Sequence, residues 1–135
     1  QCKFQITSTK YQTNFKFKMT NPKQFDLDER TLNFAKRINN YVRALPRTIT
    51  HLENGKQLVR SGGSVGANYI EANEALSKKD FYMRIKICRK EAKESIYWLK
   101  LLYSISKDNK KCEEFIDEAT QLMKIFGSIV SSSQP

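Results

Sequence analysis

SKKDFYMRIKICRKEAKESIYWLKLL, residues 77–102, is the stretch that decides the fold of this chain. Phe81, Ile85, Cys88, Ala92, Ser95, Leu99 and Leu102 recur in alternating steps of four and three. That spacing averages 3.5 residues, the repeat of a helix packed at a shallow left-handed angle against its neighbours. Charged residues fill many of the remaining positions, and the helix needs partners to cover its apolar stripe. It opens with Ser77-x-x-Asp80, a spacing at which the serine hydroxyl accepts the free backbone N–H three residues on.

Three further segments carry the same period. Asp26-x-x-Glu29 and Thr50-x-x-Glu53 have the capping-box spacing, and Asn109 followed by Glu113 and Glu114 marks a fourth start. Pro46 ends the first helix near Leu45. The predicted seams are Phe34, Ile38, Tyr41 and Leu45 in the first helix, and Phe115, Ala119, Leu122, Phe126 and Ile129 in the fourth. In the second helix the predicted seam is Leu52, Gly55, Val59, Gly62, Gly66, Tyr69 and Leu76. Short connections make neighbouring helices antiparallel. The expected fold is therefore all-α, an antiparallel up-down-up-down four-helix bundle over residues 26–130.

Residues 1–25 hold five lysines and no acid and read as a basic, loosely ordered arm, with KFQIT at 3–7 a candidate strand. Met19 opens a segment that reads as a natural translation start, so whether residues 1–18 belong to the native protein stays open. Residues 131–135 read as a frayed tail. No apolar run approaches the roughly 18–20 residues that span a bilayer, and residues 1–18 lack the continuous apolar stretch of a secretory signal. Cys2, Cys88 and Cys112 cannot all pair and form no CxxC, the usage of reduced thiols in a cytoplasmic protein.

Candidates for chemistry are few. SGGSVGAN at 61–68 lacks the Lys-Ser/Thr that completes a phosphate-binding P-loop. Gly62 and Gly66, four apart, instead read as helix-packing positions, with a kink expected at 62–63 because glycine weakens a helix interior. Glu71-x-x-Glu74 and Glu91-x-x-Glu94 match part of a di-iron bundle, but that site needs Glu-x-x-His pairs and the sole histidine is His51. Arg60, Arg84 and Arg89 are the available partners for those carboxylates. One histidine supports no Cys–His or Ser–His–Asp set. No metal, no cofactor and no enzymatic activity are expected.

Charge is more informative. The chain carries a formal net charge of +10, and residues 77–107 hold nine Lys or Arg against three acids. Lys79, Lys86, Lys93, Lys100 and Lys107 repeat every seven residues away from the apolar seam, with Lys90 beside them. Lys36 and Arg43 are also placed outward, on the first helix, while the fourth helix leans acidic. The lysine row reads either as a solvated face or as a rail for a phosphate backbone, bound without sequence preference. IYWLKLLYSI at 96–105 is apolar on nearly every side, so Trp98, Leu101 and Tyr103 call for cover from a second copy.

KQLVRSGGSVGANYIEA at 56–72, followed by the 77–102 stretch, resembles the four-helix-bundle family of 23S rRNA intervening-sequence proteins. The residues that carry the likeness are Arg60, Ser61, Gly62, Ser64, Gly66, Ala67, Asn68, Glu71 and Ala72, then Ser77, Asp80 and Phe81, then Lys90, Glu91, Ala92, Glu94, Tyr97, Trp98 and Leu99. It covers about residues 26–130, and Gly63 and Ile70 depart from the pattern. The resemblance implies a bacterial, ring-shaped homopentamer, encoded within large-subunit ribosomal RNA genes or in free-standing genes. A related branch comprises the accessory variability determinants of diversity-generating retroelements, basic pentamers that bind nucleic acid and a reverse transcriptase. Two functions follow as expectations. One is an oligomeric accessory protein touching RNA or DNA phosphates through Lys79, Lys86, Lys90, Lys93, Lys100, Lys36 and Arg43. The alternative is a protein-binding scaffold that recruits an enzyme such as a reverse transcriptase without touching nucleic acid.

Overall fold

A computed structural model of the chain describes residues 26–132. The arm expected at 1–25, with its candidate strand, and tail residues 133–135 lie outside the described residues. The described residues form four helices and no strand: α1 (Leu27–Arg43), α2 (Ile49–Asn73), α3 (Lys78–Ile105) and α4 (Lys110–Ser131). No helix among them is long and apolar enough to cross a membrane.

The helix starts show how far local chemistry reaches. Asp26 accepts the Glu29 N–H at 3.1 Å, and Ser77 accepts the Asp80 N–H at 3.0 Å. The cap of α2 is Thr48 rather than the expected Thr50. Thr48 sits in extended backbone at ψ 163, where its hydroxyl accepts the His51 N–H at 3.2 Å and lies 2.7 Å from His51 Nδ1. His51 thus fills the third helical position that a capping box gives to Glu. Asn109 precedes α4 without a side-chain capping bond to it. With its amide turned to donate, Asn109 reaches back to the Tyr103 and Ser106 carbonyls at 3.1 and 3.2 Å, at the end of α3. α1 stops at Arg43, short of Leu45, and α4 runs on through Ser131.

Every predicted seam residue of α3 and α4 is buried. In α1, Phe34 and Ile38 are buried together with Leu27 and Thr31, while Tyr41 and Leu45 pack at the edge of the core. Fully burying side chains such as Phe34, Phe115 and Phe126 stabilises the fold by about 1.5–3 kcal/mol each. The α2 seam differs from expectation. Its buried set includes His51, Gly55, Leu58, Gly62, Val65, Tyr69 and Ala72, whereas Leu52, Val59 and Leu76 are exposed. Leu76 lies beyond the end of α2 at Asn73. Leu52 and Val59 sit one residue out of phase with the buried set, because α2 carries two adjacent apolar stripes and only one faces the core.

Glycines set the α1–α2 approach. A Cβ built on Gly66 would stand 2.9 Å from Thr31 Oγ1, one on Gly55 2.9 Å from Val42 Cγ1, and one on Gly62 3.5 Å from Ile38 Cγ2. A Cβ on Gly63 would meet nothing within 4 Å. α2 passes through 62 and 63 as unbroken helix, so the expected interruption there is absent.

Paired residues give the register. Between α2 and α3, Arg60 meets Glu91 and Glu94, Ser61 meets Ser95, and Asn68 meets Arg84. Between α3 and α4, Leu99 meets Cys112 and Arg89 lies beside the Gly127 Cβ position. Residue numbers run in opposite senses along both pairs, and likewise between α1 and α2 and between α1 and α4. α1 and α3 share α2 and α4 as neighbours, which puts α1 and α3 on opposite corners.

The α1–α4 seam is the loosest and is bridged by long side chains. Arg30 donates to Glu118 at 2.8 and 2.9 Å and to Gln121 at 2.8 Å. Arg37 lies 5.0 Å from the Phe115 ring centroid and 3.5 Å from Glu114. The Tyr41 hydroxyl is 3.0 Å from Cys112 Sγ. Clefts of about 360 and 350 Å³ open along this seam.

Candidate nucleic-acid interface

Lys79, Lys86, Lys93 and Lys100 lie on α3 and are exposed. Among the described residues none of these ammonium groups has a carboxylate within ion-pair distance, so their charge faces solvent uncompensated. Lys90 is exposed too and stands 3.6 Å from Glu91. Lys107 falls past the end of α3 at Ile105 and leaves the row. An α-helix drifts about 20° per heptad against a seven-residue repeat, so the row winds by about 60° between Lys79 and Lys100. Lys36 and Arg43 are exposed on α1, at the opposite corner of the bundle. The seven candidate contacts therefore form two surfaces rather than one, with five on α3 and two on α1.

The motif residues of α2 and α3 converge on a polar seam that the sequence does not announce. Arg60 holds Glu91 at 3.2 Å and also bonds Glu94. The Glu91 side chain is only 8% exposed, so its charge depends on that guanidinium and on Lys90. Ser61 and Ser95 share a buried hydrogen bond of 2.9 Å. Asn68 donates to the Ser64 carbonyl at 2.8 Å and accepts from Arg84 at 3.2 Å. Trp98 Nε1 donates to Glu94 at 2.9 Å. The Trp98 bond first, and Arg60 after it, hold the Glu94 carboxyl below its ordinary range.

The residues expected at a self-contact are partly engaged within the chain. Trp98 is half-buried, tied to Glu94 and edge-on to the Tyr97 ring at 4.9 Å. Leu101 is half-buried, and Tyr103, though exposed, donates its hydroxyl to Glu113 at 3.1 Å. Gly62 is buried against Ile38, and Gly66 meets Thr31. Other apolar side chains are left open as well, among them Leu32 on α1, Ile49, Leu52, Val59 and Ile70 on α2, Leu76 beyond it, and Met83, Tyr97 and Ile105 on α3. The second apolar stripe of α2 is the sequence signal that could have found Leu52, Val59 and Ile70.

Several groups able to react are engaged within the fold among the described residues. Burial pushes the Cys88 thiol up to about 12 and raises that of Cys112. Burial likewise raises Tyr41 and Tyr69. His51 belongs to the α2 cap, and Glu91 and Glu94 belong to Arg60. Among the described residues no three His, Cys, Asp or Glu side chains gather closely enough to hold a metal ion. What the surface offers a partner is positive charge in a row.

No curated protein matches the chain. A solved structure from Bacteroides thetaiotaomicron, described as a protein of unknown function from the S23 ribosomal protein family, superposes with a TM-score of 0.68. It is 33% identical, and the match covers 76% of this chain and 96% of that one. The family model described as 23S rRNA-intervening sequence protein matches residues 23–128, a span that contains α1, α2, α3 and nearly all of α4. With the motif residues on the α2–α3 seam inside that match, the chain belongs to the 23S rRNA-intervening sequence protein family.

Proposed function

We propose that this protein is a non-enzymatic, self-associating cytoplasmic accessory protein that holds the phosphate backbone of RNA or DNA on the lysine row of α3. In this reading the bundle runs up-down-up-down, and copies close into a ring that repeats the row around its circumference. The observation that carries it is the set of exposed ammonium groups at Lys79, Lys86, Lys93 and Lys100, free of carboxylate partners among the described residues, on a chain of net charge +10. Lysines neutralise phosphates as point charges and read no bases, so binding is sequence-tolerant. Several modest sites acting on one polyanion gain avidity.

The test is a titration of labelled single-stranded RNA and duplex DNA at several salt concentrations. Log affinity should fall linearly with log salt, by about 0.9 per neutralised phosphate on duplex and about 0.7 on single strands. Sequence changes in the probe should matter little. Absence of binding at low salt overturns the reading and favours a scaffold whose partner is a protein.

A further inference from the structure

We propose that the cleft between the second half of α1 and the start of α4 is a binding site for a nucleotide-sized phosphomonoester. It is separate from the lysine row of α3 and does not depend on contact between copies.

The clefts of the α1–α4 seam are nearly equal in size, and their linings differ in charge. The one near the start of α1, about 360 Å³, sets three carboxylates, Asp26, Glu29 and Glu118, against two arginines. One of those arginines, Arg30, already donates to Glu118 and Gln121. The other cleft, about 350 Å³, is lined by Arg37, Asn40, Tyr41, Ala44, Lys111 and Phe115, with no carboxylate among them. Small-molecule sites typically enclose about 300–1,000 Å³.

Two cations from different helices stand in this lining. Lys111 is exposed, with no carboxylate within ion-pair distance among the described residues. The Arg37 guanidinium lies 5.0 Å from the Phe115 ring centroid, which steadies its fork, and its contact with Glu114 is long at 3.5 Å and open to solvent. A phosphate dianion between a guanidinium fork and an ammonium is therefore a better acceptor than Glu114 is. Asn40 adds an exposed amide able to donate. The rest of the lining is apolar. The Tyr41 hydroxyl lies 3.0 Å from Cys112 Sγ, so its ring is what it offers the cleft, beside Ala44 and Phe115. Inorganic phosphate would leave that side unfilled, whereas a sugar and base attached to phosphate would cover it.

Calorimetric titration at low salt with adenosine monophosphate and uridine monophosphate tests this. Each should bind at a single site per chain. Adenosine or orthophosphate, each offering only part of the contacts, should bind at least about tenfold more weakly. Lys111→Glu and Asn40→Asp place a carboxylate at exposed positions of the lining, so each should weaken binding by at least about tenfold while the thermal midpoint holds. Lys93→Glu with Lys100→Glu, on α3, should leave it nearly unchanged. Displacement by a terminally phosphorylated trinucleotide, and not by its hydroxyl-ended form, assigns the site to strand ends. Displacement by neither assigns it to the free nucleotide, and both results support the site. Failure of both monophosphates to bind saturably overturns the proposal. So does binding that survives both lining variants, binding lost in the α3 pair, or orthophosphate binding as tightly as the nucleotides. The salt titration of the α3 row stands apart from all of these, because it is read on strands and on a different pair of lysines.

Discussion

Gly66 of α2 lies so close to Thr31 of α1 that a methyl group added to it would stand 2.9 Å from the Thr31 hydroxyl oxygen. That hydroxyl cannot swing away without loss, because it donates to the Leu27 carbonyl at 2.7 Å. Three residues earlier, Gly63 faces open space. The two glycines should therefore respond with opposite signs. Gly63→Ala should raise stability by up to about 1 kcal/mol through helix propensity. Gly66→Leu should lower it by about 1–3 kcal/mol through overpacking. Urea unfolding of both variants decides it, and equal effects would mean that glycine spacing does not set the α1–α2 distance.

Removing Arg60 leaves Glu91, 8% exposed, with Lys90 at 3.6 Å as its remaining charged neighbour. Arg60→Ala should cost about 1–3 kcal/mol, because a buried acceptor is then without its guanidinium partner. Arg60→Lys should recover little, since one ammonium cannot fork between Glu91 and Glu94 as a guanidinium does. Full recovery by lysine, measured as the urea midpoint, would reduce the seam to simple charge balance.

Acid should act on the same seam through Glu94, whose carboxyl is held low first by the Trp98 indole N–H and then by Arg60. A carboxyl depressed on folding contributes stability above its unfolded value, and that contribution is lost as pH falls through the folded value. Trp98→Phe removes the donor. The deficit of this variant should be largest near neutral pH and shrink as pH falls through and below the ordinary glutamate range. The remaining deficit, from weaker packing, should not vary with pH. Thermal midpoints of both chains across that range show whether the gap narrows.

Charge reversal separates the two basic surfaces. Lys93→Glu with Lys100→Glu, both on exposed α3 positions without carboxylate partners among the described residues, should weaken nucleic-acid binding for every probe sequence. It should also flatten the salt slope by about 0.9 for each duplex phosphate that is no longer neutralised, with little change in thermal stability. Lys36→Glu with Arg43→Glu, on the opposite corner, should weaken binding less. Equal effects from the two pairs would place the polyanion across both corners and remove α3 as the principal contact.

α3 and α4 are legible in the sequence because each carries an unbroken seam in steps of three and four, and all their predicted seam residues are buried. α2 is not. Leu52 and Val59 satisfy a heptad as well as Leu58 and Val65 do, and only the packing of α1 and α3 selects between stripes one residue apart. Thr48 and Thr50 both offer a capping hydroxyl, and nothing local reveals that His51 would answer Thr48. The seven-residue lysine repeat does foretell an exposed face on α3. It does not foretell that Lys36 and Arg43 stand away from it, since that depends on the order of helices around the bundle. The Glu94–Trp98 bond spans four residues of one helix and is open to a spacing argument, whereas the Arg60 grip on two carboxylates is tertiary.

The loose α1–α4 seam gives the molecule uneven mechanical strength. α1 is anchored to α2 by close backbone approach, but to α4 mainly by the reach of Arg30, Arg37 and Tyr41 across clefts. Local opening follows the weakest set of contacts. α1 should thus swing out on a hinge at residues 44–48 while the α2–α3–α4 unit persists, and its amides should exchange with solvent deuterium ahead of those in α3. Arg30 and Glu118 remain partly solvent-exposed, so added salt weakens the latch and speeds that exchange. The first helix of the bundle then behaves as a door whose stiffness depends on ionic strength.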